Sequence, residues 1–186
     1  MRQALALVLM MTLLLAACSA SAGDTEKFVE LRERVTLGKI TAKVEIRADF
    51  GNKTQSYTIE YSQNGESARM GILEPELLRG ITARVEGTDS SVEFDGLILD
   101  TGELDGNGLT PVSALPAIIE SIKNGHIEAV WREKDGELER IVFDLTVTDE
   151  TGMNLWIDAD SMVPQYAEIR YGERVVITCV FLEWSA

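Results

Sequence analysis

The sequence predicts an α+β domain built as a strongly curved antiparallel sheet, an open half-barrel, with a helical lid. Three observations predict it. Apolar and polar residues alternate with period two from Ile40 to Phe50, as Ile40, Ala42, Val44, Ile46, Ala48 and Phe50 against Thr41, Lys43, Glu45, Arg47 and Asp49. That pattern is a strand with one dry and one wet face. Similar alternations recur down the chain, separated by short Gly-, Asn- and Asp-rich turns of the kind that join antiparallel neighbours. One apolar run of helical period interrupts the meander midway, and a helix inserted there has the sheet's dry face to cover.

Taken in order, Met1-Arg2-Gln3 and the apolar run Ala4–Leu15 read as a signal peptide. The run is too short to span a bilayer, which needs roughly 20 apolar residues. Leu15-Ala16-Ala17-Cys18 follows it and resembles a lipobox, the site at which a cysteine receives diacylglycerol and the leader is cut away. Residues 1–17 are therefore expected to be a lipoprotein signal peptide, and 18–38 a lipidated N-terminus, linker and first helix. Residues 39–186 are the half-barrel domain. With lipid on Cys18 the mature chain is expected on the extracytoplasmic face of the cell membrane, since two or more acyl chains hold stably where one holds marginally.

The first helix is predicted over Asp24–Leu37, where Phe28, Leu31, Val35 and Leu37 recur at near-helical spacing. After the Ile40–Phe50 strand come strands marked by Tyr57, Ile59 and Tyr61, by Ala68, Met70 and Ile72, by Ile81, Ala83 and Val85, and one from Val92 to Leu99. Asp100–Gly108 reads as a Gly/Asp-rich loop. Thr110-Pro111 then opens a helix with Val112, Leu115, Ile118, Ile119 and Ile122 on its apolar side and Gly125 past its end, the usual proline and glycine placement. Strands resume with Ile127, Ala129 and Trp131, an Asp135-Gly136 turn, Glu137–Thr148, Met153–Asp158, Gln165–Tyr171, a turn at Gly172-Glu173, and Arg174–Trp184. The expectation is nine or ten strands and two helices.

Ile72-Leu73-Glu74-Pro75-Glu76-Leu77-Leu78-Arg79-Gly80-Ile81, the helix opening Leu109-Thr110-Pro111-Val112-Ser113-Ala114-Leu115-Pro116, and Leu155-Trp156-Ile157-Asp158 with Pro164 resemble the LolA/LolB-like lipoprotein superfamily. Within it they are closest to the GerS-like germination lipoproteins of spore-forming bacteria, and the resemblance runs from about Lys39 to Trp184. It implies a half-barrel whose apolar hollow accepts an acyl chain or a lipoprotein. Alternatively the hollow has been reused to hold a protein partner, an envelope or spore-cortex enzyme. The lipobox fits tethered members of the superfamily and not its soluble carriers, because a tethered molecule receives cargo without shuttling it.

The chain has 17 Lys and Arg against 31 Asp and Glu, a net charge of −14, and no Lys/Arg-rich patch, which argues against nucleic acid as a partner. With Cys18 lipidated, Cys179 is left unpaired in an apolar strand, where a small core residue is expected. No catalytic residue, cofactor or metal is implied. His126 is the only histidine and follows a helix end, no Gly-x-Ser-x-Gly elbow occurs, and Asp100, Glu103 and Asp105 lack the ligand spacing of an EF-hand loop. The chain is therefore expected not to be an enzyme. The candidate cavity or lid residues are Leu115, Ile118, Ile119 and Ile122 on the helix, with Phe94, Trp131 and Trp156 on strands. Each is either core or the wall of an apolar site.

Overall fold

The computed structural model describes residues 23–104 and 106–186, so Cys18, with the signal-peptide reading, and Asp105 lie outside the described residues. Helix α1 spans 23–37. The strands that follow are β1 (Ile40–Asp49), β2 (Thr54–Asn64), β3 (Ser67–Glu74), β4 (Thr82–Glu86), β5 (Asp89–Phe94) and β6 (Leu97–Glu103). After helix α2 (Pro111–Asn124) come β7 (Ile127–Asp135), β8 (Leu138–Thr146), β9 (Thr151–Asp158), β10 (Pro164–Tyr171) and β11 (Arg174–Ser185). A 3₁₀ turn at Glu76–Leu78 links β3 to β4.

All eleven strands form one sheet in the order β6-β5-β4-β3-β2-β1-β11-β10-β9-β8-β7. Every neighbouring pair is antiparallel, and only the β1–β11 pair joins strands distant in sequence. Among the described residues β6 and β7 are the two unpaired edges of this curved, open sheet. The chain crosses from one edge to the other through α2, which places the helix over the sheet's dry face and makes it an integral lid.

Five of the connections are two-residue hairpins in which alternation and turn chemistry agree. One of them divides the expected Val92–Leu99 strand in two. Asp95 and Gly96 have φ of 50° and 78°, the positive pair of a type I′ turn, so Phe94 pairs with Leu97 across a hairpin and β6 continues through the expected loop to Glu103.

The core is the covered face. Residues of alternating parity in β1, β2, β8, β9, β10 and β11 meet Phe28, Leu31 and Val35 of α1 and Leu115, Ile118, Ile119 and Ile122 of α2. α2 starts where the sequence places it, because the Thr110 hydroxyl accepts from the Ser113 N–H while the Ser113 hydroxyl accepts from the Thr110 N–H. α1 is pinned as firmly. Phe28 stacks at 4.3 Å on Phe143, Asp24 is buried against Arg132 of β7, and Arg32 donates to the terminal carbonyls of α2 at Ile122 and Gly125, both at 2.8 Å. The first helix thus shares one core with the sheet.

Candidate functional site

The two helices do not cover the whole dry face. One row of paired side chains shows where cover ends: Met70, Ala83, Val92 and Leu99 lie directly opposite one another across β3, β4, β5 and β6. Directly opposed residues point to the same face. Along that row Met70 and Ala83 are buried, Val92 is half-buried, and Leu99 is 67% exposed. Phe94 and Leu97, the adjoining pair, are 50% and 77% exposed. An apolar strip therefore runs from the core out to the open β6 end.

This strip has no ionisable side chain. Its polar members are Ser90 and Thr101, bonded to each other at 2.8 Å, and Ser90 also donates to the Gly102 carbonyl. Satisfied hydroxyls at one end and exposed apolar surface at the other suit an elongated apolar ligand and offer nothing for proton transfer.

The sequence-derived candidates separate into three groups. Leu115, Ile118, Ile119 and Ile122 come together as the buried side of the lid, none more than 2% exposed. Phe94 stands on the strip. Trp131 and Trp156 stand on the opposite, outer face, where Trp131, Val142, Trp156, Tyr166 and Val180 form one cross-strand row. The expectation of both tryptophans as cavity wall is corrected here, and a β-bulge is the reason for Trp131. Ile127 opposes Leu145 but Ala129 opposes Asp144, so one extra residue flips the rest of β7 to the other side. The tryptophan on the covered face is Trp184, edge-on to Phe181 at 5.5 Å; a bulge in the β1–β11 pairing puts it there. Leu97 and Leu99 were also missed as site residues, although Asp95-Gly96 between apolar flanks is the turn signal that would have revealed them.

On the outer face the two indoles share one carboxylate. Trp131 Nε1 donates to Glu133 Oε1 at 2.9 Å and Trp156 Nε1 to Glu133 Oε2 at 2.8 Å, spanning three strands. These donors, Trp131 first, hold the Glu133 carboxyl below the usual carboxylate range. A depressed folded-state pKa contributes stability that is present above the unfolded-state value and is lost as pH falls through the folded-state value. In an NMR titration both indole N–H signals should therefore move together with Glu133, below the ordinary carboxylate range. Titration of the indoles with independent midpoints would break the shared-carboxylate assignment.

His126 is exposed just past α2, and the Cys179 thiol is fully buried, which pushes its pKa up to about 12 and suppresses the reactive thiolate. Among the described residues no group of three or more His, Cys, Asp or Glu side chains could hold a metal ion.

The fold is shared with solved structures. Over 86% of this chain and 89% of the other it matches a DUF1329 family protein from Desulfovibrio piger, with 10% identity and a TM-score of 0.53. An uncharacterized conserved protein from Thermus thermophilus matches over 87% of this chain and 86% of its own, with 10% identity and a TM-score of 0.52. A LolA superfamily protein from Nitrosomonas europaea matches over 86% and 92%, with 14% identity and a TM-score of 0.45. No family model matches the chain, and no curated protein does so by sequence. The first two likenesses establish the architecture, an open antiparallel sheet with helices on one face.

Proposed function

We propose that this chain is a non-enzymatic, LolA-like binding lipoprotein, held by lipid on Cys18 at the extracytoplasmic face of the cell membrane, that takes up an acyl chain or the lipidated end of a lipoprotein. The observation that carries the reading is the apolar strip Val92, Phe94, Leu97 and Leu99, continuous with the core and left uncovered by α1 and α2. Exposed leucine and phenylalanine cost free energy in water, about 25 cal/mol per Å² of apolar surface, and an acyl chain laid along them recovers it.

The test is binding of a fluorescent fatty acid, read together with thermal stability. Phe94→Asp and Leu99→Asp should each weaken binding tenfold or more while leaving the midpoint nearly unchanged, because both side chains are already exposed. Unchanged affinity in both variants would remove the strip as the site. Anchoring is tested separately: Cys18→Ala should release the protein from membranes or leave the leader uncut, and firm fractionation at unaltered mass would refute the lipid anchor.

A second reading is a GerS-like partner for an enzyme that modifies the cell wall or spore cortex in germination. The outer-face row of Trp131, Trp156 and Tyr166 favours it, since large aromatic side chains are the commonest anchors of protein interfaces. Trp131→Asp distinguishes the readings. It should abolish capture of an enzyme partner and leave fatty-acid binding intact.

A further inference from the structure

The sheet's two edges, unpaired among the described residues, are defended unequally. β7 ends in Arg132, Glu133, Lys134 and Asp135, and consecutive charges on an edge oppose pairing with another strand. β6 begins Leu97-Ile98-Leu99, all seven of its residues are exposed, and neither proline nor lysine interrupts it. Its apolar residues also point both ways. Leu97 and Leu99 belong to the covered face, while Ile98, paired with Glu93, faces outward and is 70% exposed. An acyl chain on the strip makes no use of Ile98 or of the outer backbone edge of residues 97–100, the part of β6 before the bulge at which Gly102 has φ of 76° and its N–H is taken by Asp100 Oδ1 at 2.9 Å.

We propose that β6 is a strand-addition site, and that its occupant is an extended peptide segment of a partner protein with apolar residues at its centre and basic residues at its flanks. The backbone of β6 supplies the affinity through a new hydrogen-bond ladder, as sheet edges do for added strands. Apolar side chains on both faces of the incoming strand meet Leu97 and Leu99 on one side and Ile98 on the other. Charge selects the flanks: Asp95 precedes β6, Asp100 and Glu103 lie within it, and the chain as a whole is strongly acidic. A second copy of this chain would bring the same acidic groups against them. Leu97 and Leu99 serve this site and the acyl-chain strip alike, and what separates the two is the strand edge and the outward Ile98, which the strip does not include.

The test uses the full chain and a synthetic peptide of the same length as β6, an uninterrupted run of valines between terminal lysines, which presents apolar side chains on both faces. Hydrogen exchange should show new protection along residues 97–100 with added peptide, and little change along β7. Ile98→Asp and Leu97→Asp should each weaken peptide binding at least tenfold, with circular dichroism unchanged. Methylating alternate peptide nitrogens on the pairing side should abolish binding. Fatty-acid binding should respond to Leu97→Asp but not to Ile98→Asp, so the two sites can fail separately. Absence of protection along 97–100 at millimolar peptide, or equal binding of the methylated peptide, overturns the proposal. Protection that rises with protein concentration alone assigns the edge to a second copy and overturns it equally.

Discussion

Ile119→Glu is expected to unfold most of the protein. Ile119 is 2% exposed and sits among Leu115, Ile118 and Ile122 on the side of α2 that meets the sheet. A carboxylate there has neither water nor a cationic partner named in the core, and burying an ionised group unpaired costs many times what a protonated one costs. The group would protonate instead, and even that leaves a buried polar side chain in place of a well-packed apolar one, at a cost of several kcal/mol. Against a total stability of about 5–15 kcal/mol this is most of the margin. The measurement is a thermal or urea transition at two pH values. The variant should be less destabilised at pH 5 than at pH 8, since protonation relieves the charge. A midpoint within a few degrees of wild type at pH 8 would show that the helix lies over a wet cavity and lifts away from the sheet, contrary to the packing seen.

The elements legible in the sequence were those in which local chemistry and tertiary demand coincide. β1 is readable because five inward positions, Ile40, Ala42, Val44, Ile46 and Ala48, are apolar and all are buried. α2 is readable because Thr110, Pro111 and Gly125 mark its ends and its apolar residues recur at helical spacing. Strand count was less accessible. Val92–Leu99 looks continuous when Asp95-Gly96 is passed over, and a Gly/Asp-rich segment looks like a loop because nothing in it reports that β5 will supply hydrogen-bond partners as far as Glu103.

The candidate site was legible only in part, and bulges account for much of the remainder. A period-two reading assigns faces correctly until one extra residue enters, after which every assignment inverts. Trp131 was lost in that way at the Ile127/Ala129 bulge, and Trp184 reaches the covered face through the irregularity at Lys43/Val44. Trp156 failed for another reason. Its strand alternates strictly, with Met153, Leu155 and Ile157 inward, so the tryptophan's parity excludes it from the core however apolar it is. The strip itself required the sheet order, because only the topology reveals that β6 is an edge and that the helices leave it bare.

Phe28→Ala bears on whether the first helix is a tether or a structural member. A tether would tolerate the change at a cost below about 1 kcal/mol, as exposed positions do. Phe28 is fully buried, its ring centroid lies 4.3 Å from that of Phe143 at the centre of β8, and the Arg32 guanidinium sits over the same Phe28 ring, 5.4 Å from its centroid, while bonding the end of α2. Truncating it leaves a cavity between α1 and the sheet, which for Phe→Ala costs about 3–5 kcal/mol. It also removes the platform that orients Arg32, so the carbonyls of Ile122 and Gly125 lose a positioned donor and the lid's C-terminal end loosens. For a domain of this size each kcal/mol lowers the midpoint by roughly 2–4 °C. The expected result is therefore a large fall in midpoint with one cooperative transition retained, together with faster hydrogen exchange at the last turn of α2. A small loss of stability with α2 protection unchanged would make α1 a linker that happens to lie against the sheet. That outcome would return the covered face beneath α1 to the list of surfaces open to a ligand.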